Sequence, residues 1–139
     1  MRIGRIVRVM GVVVDVQFAI GDLPSIHSAL IIERPKQKAL VLEVQEHINP
    51  ETVRCVAMSS TSGLSRGMAV MDTGEPIRVP VGEGTLGRLF SVLGEPIDGG
   101  PPLPEGIPTC PIHLESPKLA EQKLSNEVIT TGLKVIDLL

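Results

Sequence analysis

The chain has 139 residues, enough for one domain or for one domain plus part of another. Hydrophobic residues make up 42% and charged residues 21%, a globular balance, yet the aromatics stop at two Phe with no Tyr or Trp, so any core must be built from Val, Ile, Leu and Met. A net charge of −3 and the missing rings argue against nucleic-acid binding, which needs a basic face for phosphate and aromatics for stacking.

At the N-terminus Arg2, Arg5 and Arg8 precede the run VMGVVV, which imitates a signal peptide. The run meets Asp15 after six residues, with no small-residue cleavage site behind it. No stretch approaches the ~20 apolar residues of a membrane span. The expectation is a soluble, untargeted chain in a cytoplasmic-type compartment that meets a membrane only through a partner.

The first eighty residues read as short strands. In RIVRVMGVVVDVQF, Val12, Val14, Val16 and Phe18 alternate with Val13, Asp15 and Gln17, giving one buried and one wetter face. The phase is less clean before Gly11, which predicts a bulge or bend there. The loop AIGDLPSIH leads to the strand ALIIE, the polar turn ERPKQK and the return strand ALVLEVQ. In that return strand Leu40, Leu42 and Val44 point one way, and Val41, Glu43 and Gln45 the other. HINPE is a turn, and TVRCVAM a strand with Val53, Cys55 and Ala57 on one face. SSTSGLSRG is a loop, MAVMD a short strand, TGEP a turn and IRVPV a last strand, which Pro76 and Pro80 mark as an edge or an exit. Six or seven strands with a turn every eight to twelve residues predict a small closed β-barrel over residues 1–81. An open sheet of this size would leave edges and a bare apolar face.

After Val81 the character changes. Seven of the twelve prolines fall between Pro96 and Pro117, and PIDGGPPLPEGIPTCPIHLESP lacks the periodicity of a core element. It reads as an extended strap lying on something. SPKLAEQKLS then offers Ser116 as a helix cap and Pro117 at the first helical position. Ile129, Leu133 and Ile136 recur at helical spacing near the end, with Thr131 or Gly132 near the start.

Chemistry is sparse. GEGTLG supplies the glycines of G-x-G-x-x-G at Gly82, Gly84 and Gly87, but RLFSVLGEP follows where a phosphate-facing helix should begin, so a turn is the better reading. GEPIDGGPP has prolines where phosphate-cradling N–H donors would be needed. Glu43, Asp72 and Asp98 fall beside turns or on wet strand faces and read as solvated surface. His27, His47 and His113 are scattered, and no pair shares a turn or strand face, so no metal site is assigned. Cys55 and Cys110 form no CxxC and read as two reduced thiols. No catalytic, cofactor-binding or metal residue emerges.

The order of segments carries more. GRIVRVMGVVVDVQF, ALVLEVQ, VRCVAMSSTSGLSRGM, PIRVPVGEGTLGRLFSVLGEPIDGGPPL, IH and TTGLKVIDLL together resemble the N-terminal part of the catalytic beta subunit of the rotary (F-type) ATP synthase. VPVGEGTLGRLFSVLGEPIDG (79–99) and TGLKVIDLL (131–139) are the most specific pieces. The alpha subunits and the vacuolar and flagellar-export ATPases share the LGR…LG.P.DG strap, while MGVVVDVQF and KVIDLL look more like beta.

The resemblance implies a mainly β fold: an N-terminal β-barrel that joins a hexamer crown, then over 82–139 the opening of a RecA-like α/β nucleotide-binding domain, its strap followed by short helices. It implies a full-length parent that makes or hydrolyses ATP, coupled to proton or sodium transport, with ATP/ADP and Mg2+ as its ligands. Its partners would be alpha subunits in an alternating ring, on the cytoplasmic, matrix or stromal face of an energy-transducing membrane. In the family pattern the phosphate-loop lysine, the water-activating carboxylate and the magnesium ligands lie beyond Leu139, so none is carried onto a residue here. The expected role is assembly and anchoring, with residues 101–139 mobile or held by a neighbouring copy. A free-standing small-barrel module, or a truncated beta paralogue that binds or blocks the hexamer, is the alternative.

Overall fold

The structure, a computed structural model, describes residues 2–35, 37–121 and 130–138. Six strands close into an antiparallel barrel: β1 (Ile3–Met10), β2 (Val13–Gln17), β3 (Ser28–Ile32), β4 (Leu40–Asn49), β5 (Thr52–Ala57) and β6 (Ala69–Pro76), in the order β1-β2-β5-β4-β3-β6, with β6 paired back onto β1. Closure removes the edges that an open sheet would leave bare.

RIVRVMGVVVDVQF is a hairpin rather than one bent strand. Met10 pairs with Val13, and Gly11 and Val12 make a two-residue turn with Gly11 at φ 60°. A positive φ at the first turn position matches the twist of the flanking strands and suits glycine. The bend expected at Gly11 is this turn, and the register shift lies earlier, between Ile6 and Arg8. It splits the phase as the sequence suggested: Val14, Val16 and Phe18 are buried, but Val12, at the turn tip, is 57% exposed.

The core is aliphatic. Ile6, Val14, Val16, Leu30, Ile32, Leu40, Leu42, Val44, Val53, Cys55 and Val70 form one cluster, with Phe18 at its margin. The alternation of Leu40, Leu42 and Val44 and of Val53, Cys55 and Ala57 is as the period-2 pattern requires. The lack of large rings has a structural counterpart at Gly4, which is buried. A Cβ there would lie 2.8 Å from both Phe18 Cζ and Val16 Cγ1, and 2.9 Å from the Gln17 carbonyl oxygen. Glycine lets β1 approach the single buried ring.

Burial of Cys55 pushes its thiol up to about 12. A thiol that stays protonated is a poor nucleophile. We expect a slightly alkaline alkylating pulse to label Cys110, which is half-exposed, while Cys55 reacts only after denaturation; mass spectrometry of the labelled peptides checks this. Equal labelling of both in the folded chain would contradict the buried position.

Two readings change beyond residue 72. TGEP is not a turn but the end of β6, where Gly74 at φ 77° and a register shift on β3 absorb the irregularity. IRVPV is not a barrel strand. Its β7 (Arg78–Pro80) leaves the barrel at Pro76 and pairs with β8 (Thr109–Pro111), so the strap between them doubles back beside its own start. The prolines that flank IRVPV thus mark an exit, as their missing N–H groups suggested. Ile112 donates to the Ile77 carbonyl oxygen at 3.0 Å and continues this contact.

Glu83–Thr85 forms one 3-10 turn in GEGTLG, with Gly82 and Gly87 at φ 101° and 71°. The glycines therefore serve a turn. In SPKLAEQKLS neither Pro117 nor Lys118 is helical; a 3-10 turn begins only at Leu119 (Leu119–Glu121), so Ser116 does not cap it, and the remainder of the segment, like Ile129, lies outside the described residues. The KVIDLL segment contributes one helical turn, α1 (Lys134–Asp137), with Thr131 and Gly132 donating to the Asp137 carboxylate. Among the described residues no helix is long and apolar enough to cross a membrane.

Candidate functional site

Most of the chemistry of this chain lies on the outside of the barrel, where charged residues and the strap meet the strand surface. β2 and β5 place Asp15 opposite Arg54 in register. The two make a fork, Arg54 Nε donating to Asp15 Oδ1 at 3.0 Å and Nη2 to Oδ2 at 3.4 Å, and Glu46 stands 3.6 Å from Nη1. The Asp15 hydrogen bond and charge raise the Arg54 guanidinium further above its already basic value. A carboxylate buried to 5% exposure needs such a partner. Asp72 continues the inward row of Val70 and meets Arg2 at 3.5 Å while accepting from the Gly74 N–H at 2.9 Å.

The strap is tied down by a second fork. Arg88 donates to both Asp98 oxygens, Nη2 to Oδ1 at 2.9 Å, and Asp98 also accepts from the backbone of Gly100 and Leu89. Arg88, then the Gly100 N–H, hold the Asp98 carboxyl far below its ordinary range. The loop closed by this pair turns at 91–94. Ser91 donates to the Glu95 carbonyl oxygen, and Ile97 to that of Leu89. Leu93 shares a surface cleft with Ala29, Ile31, Val41 and Ile77, and Lys38 bridges to Glu95 at 3.1 Å. The loop thus sits against the outer face of β3 and β4.

A depressed carboxylate favours the folded form above its ordinary pKa of 3.8, and that contribution fades as pH falls through the lower folded value. We expect Asp98 to remain ionised after the exposed carboxylates have titrated, and the 88–98 loop to loosen only in strong acid. Carboxyl NMR titration checks this, and an Asp98 midpoint near 4 would refute the clamp.

Glu43, Asp72 and Asp98 read as solvated surface from the sequence, and this fails for the first two, each 4% exposed. Asp98 does lie at the surface, held in its arginine fork. Turn-adjacent position suggested solvent for Glu43 and Asp72, but partners from distant segments cover both. The histidines change as well. His27 and His113 stack with ring centroids 3.9 Å apart and 17° between planes, and both approach Glu43. His47 stays apart, donating from Nε2 to the Pro24 carbonyl oxygen at 2.8 Å. No local spacing could have revealed the pair, because one ring belongs to the barrel and the other to the strap.

Outside these polar contacts the barrel leaves large apolar side chains in solvent, among them Ile3, Val12, Ile20 and Ile26, and the strap leaves Leu86, Leu89, Val92 and Ile97. Nothing on this surface assembles a nucleophile with a base, or a ring of backbone donors around a phosphate-sized hollow, among the described residues. The model of the ATP synthase alpha/beta family beta-barrel domain matches residues 6–74, from within β1 to within β6 of the closed barrel. The chain carries the beta-barrel domain of the ATP synthase alpha/beta family. The match is to a domain model common to alpha and beta subunits.

Proposed function

We propose that this chain is the assembly and anchoring portion of a beta subunit, and that its barrel joins the barrels of alpha subunits in an alternating ring. The observation that carries the reading is the closed six-strand barrel coinciding with the family match over 6–74. The exposed Val12 and Ile20, at 57% and 77%, supply apolar contact area on the barrel, and burying such side chains contributes roughly 1.5–3 kcal/mol each. Within the family, MGVVVDVQF and KVIDLL favour beta over alpha.

The whole subunit, on this reading, makes or hydrolyses ATP with Mg2+ and couples that to proton or sodium movement, on the cytoplasmic, matrix or stromal face of its membrane. Residues 82–139 supply the opening of its nucleotide-binding domain, and the 139 residues by themselves act without catalysis.

Two measurements test this. Mixing the chain with a purified alpha subunit should give a complex on size-exclusion chromatography that Val12→Asp with Ile20→Asp abolishes while circular dichroism stays unchanged. No complex, or one indifferent to both substitutions, would count against assembly through this surface. Calorimetric titration with Mg-ATP should show no saturable binding at micromolar concentration; a saturable isotherm would refute the non-catalytic reading.

A further inference from the structure

We propose that His27, Glu43 and His113 form a binding site for a divalent transition-metal ion of the zinc type, and that the bound ion latches the strap to the barrel. Each residue offers one donor atom, and the three atoms lie within 4.8 Å of one another. They come from three separate segments: the loop entering β3, the outer face of β4, and the strap just past β8. Two imidazole nitrogens and one carboxylate oxygen, with a position left for water, is a donor set that suits zinc.

Three observations set this cluster apart from an ordinary surface ion pair. The first is the partner of the buried carboxylate. Asp15, Asp72 and Asp98 each meet an arginine, whereas among the described residues no arginine or lysine lies within ion-pair distance of Glu43. It is 4% exposed and meets Gln45 and the two imidazoles instead. A buried carboxylate calls for a positive partner, and a metal ion held by neutral imidazoles supplies one.

The second is the orphaned nitrogen. His27 Nδ1 is buried, has no hydrogen-bond partner, and stops 3.9 Å from Glu43 Oε1. An unpaired buried polar atom aimed at a carboxylate but too far to bond it leaves room for an ion between them. His113 Nε2 already stands 3.2 Å from Glu43 Oε2. Ligands at zinc distances sit about 3.3 Å apart around a tetrahedral ion. The widest pair here must therefore draw in by at most about 1.5 Å, and the two stacked rings must turn out of their near-parallel arrangement so that both in-plane lone pairs meet at the ion, which side-chain rotation allows.

The third is the backbone at His27, the one described residue other than glycine with a positive φ, at 68°. Its N–H donates to the Val44 carbonyl oxygen at 2.8 Å, which ties the His27 backbone to β4. A non-glycine residue held in this region is uncommon and tends to mark a constrained site.

The test is titration of the full 139-residue chain with zinc chloride by calorimetry, with histidine ring NMR and amide exchange in parallel. We expect one saturable equivalent, perturbed ring signals from His27 and His113, and slower exchange at the Ile112 amide, which bonds to Ile77 where the strap meets the barrel. His113→Asn and His27→Asn should each weaken binding by roughly tenfold or more. Asparagine also tolerates a positive φ, so the second variant keeps the backbone. His47→Asn and Cys110→Ser should bind as the parent does. Circular dichroism establishes that each variant is folded. Absence of saturable binding, indifference to both ligand substitutions, or loss of binding in Cys110→Ser would overturn the site. Binding without slower Ile112 exchange would overturn the latch. None of these readouts depends on nucleotide or on alpha subunits, so the site can fail while the assembly role stands, and the reverse.

Discussion

Leu42→Ala is expected to lower the stability of the barrel by about 2–5 kcal/mol. Leu42 is fully buried and sits in register between Leu30 on β3 and Ala57 on β5, at the point where three strands bring their inward faces together. Truncation removes transfer free energy and leaves a void. Closure by β6 onto β1 limits how far the wall can collapse to fill it, because every strand is held on both sides. Against a typical total of about 5–15 kcal/mol, the loss is a large fraction. At roughly 4–8 °C per kcal/mol for a domain of this size, the melting temperature should fall by about 8–40 °C. Leu42→Met keeps the volume and should cost less than about 1.5 kcal/mol. Thermal and urea unfolding followed by circular dichroism check both. Equal, small losses from the two variants would mean that the barrel interior is not close-packed at this layer.

The second large effect is local and concerns the strap. Gly94 is buried against β7, at φ 76°. A Cβ there would stand 2.5 Å from Pro80 Cδ and 3.1 Å from Val79 Cα. Neither neighbour is the loose end of a flexible chain. Gly94→Ala therefore combines two penalties: about 1–2 kcal/mol for an L-residue in the left-handed region and about 1–3 kcal/mol for overlap. The relief available is to lift the 91–95 turn away from β7. We expect the Ser91 and Ile97 amides to lose exchange protection while those of the barrel keep theirs. Gly99→Ala separates the causes. Gly99 has a similar φ of 69° but no atom within 4 Å of the added carbon, so only the conformational penalty applies. Equal effects at both positions would show that the contact with Pro80 carries no weight.

Much of the barrel was legible because its signal is local. A period of two in LVLEV and TVRCVA is enough to say which side chains leave water, and Leu40, Leu42, Val44, Val53 and Cys55 are all fully buried. Pro76 and Pro80 announced the exit of the chain because a missing N–H limits where a strand can pair. The hairpin at Gly11 was half-read. The disturbance was visible, but a two-residue turn and a bend look alike in a run of valines. The fate of β7 was not legible, since its partner strand around Cys110 lies far along the strap and no alternation links them.

The candidate sites divide along the same line. Glu43 and Asp72 looked wet because a carboxylate beside a turn usually is. Arg2 and the His27–His113 stack decide otherwise, and each comes from a segment that sequence spacing does not connect to its carboxylate.

By itself, then, the sequence determined the material and the period of this protein: an aliphatic, ring-poor core, strands that bury every second residue, and glycines and prolines that set where they end. Those properties depend on a residue and its near neighbours, through backbone sterics and hydrophobic alternation. Only the tertiary structure decided which strand closes the barrel, where the strap lies, and which charges share a buried pocket. Pairing between distant segments depends on chain closure and on partners that become neighbours only after folding, so no stretch of the sequence holds it alone.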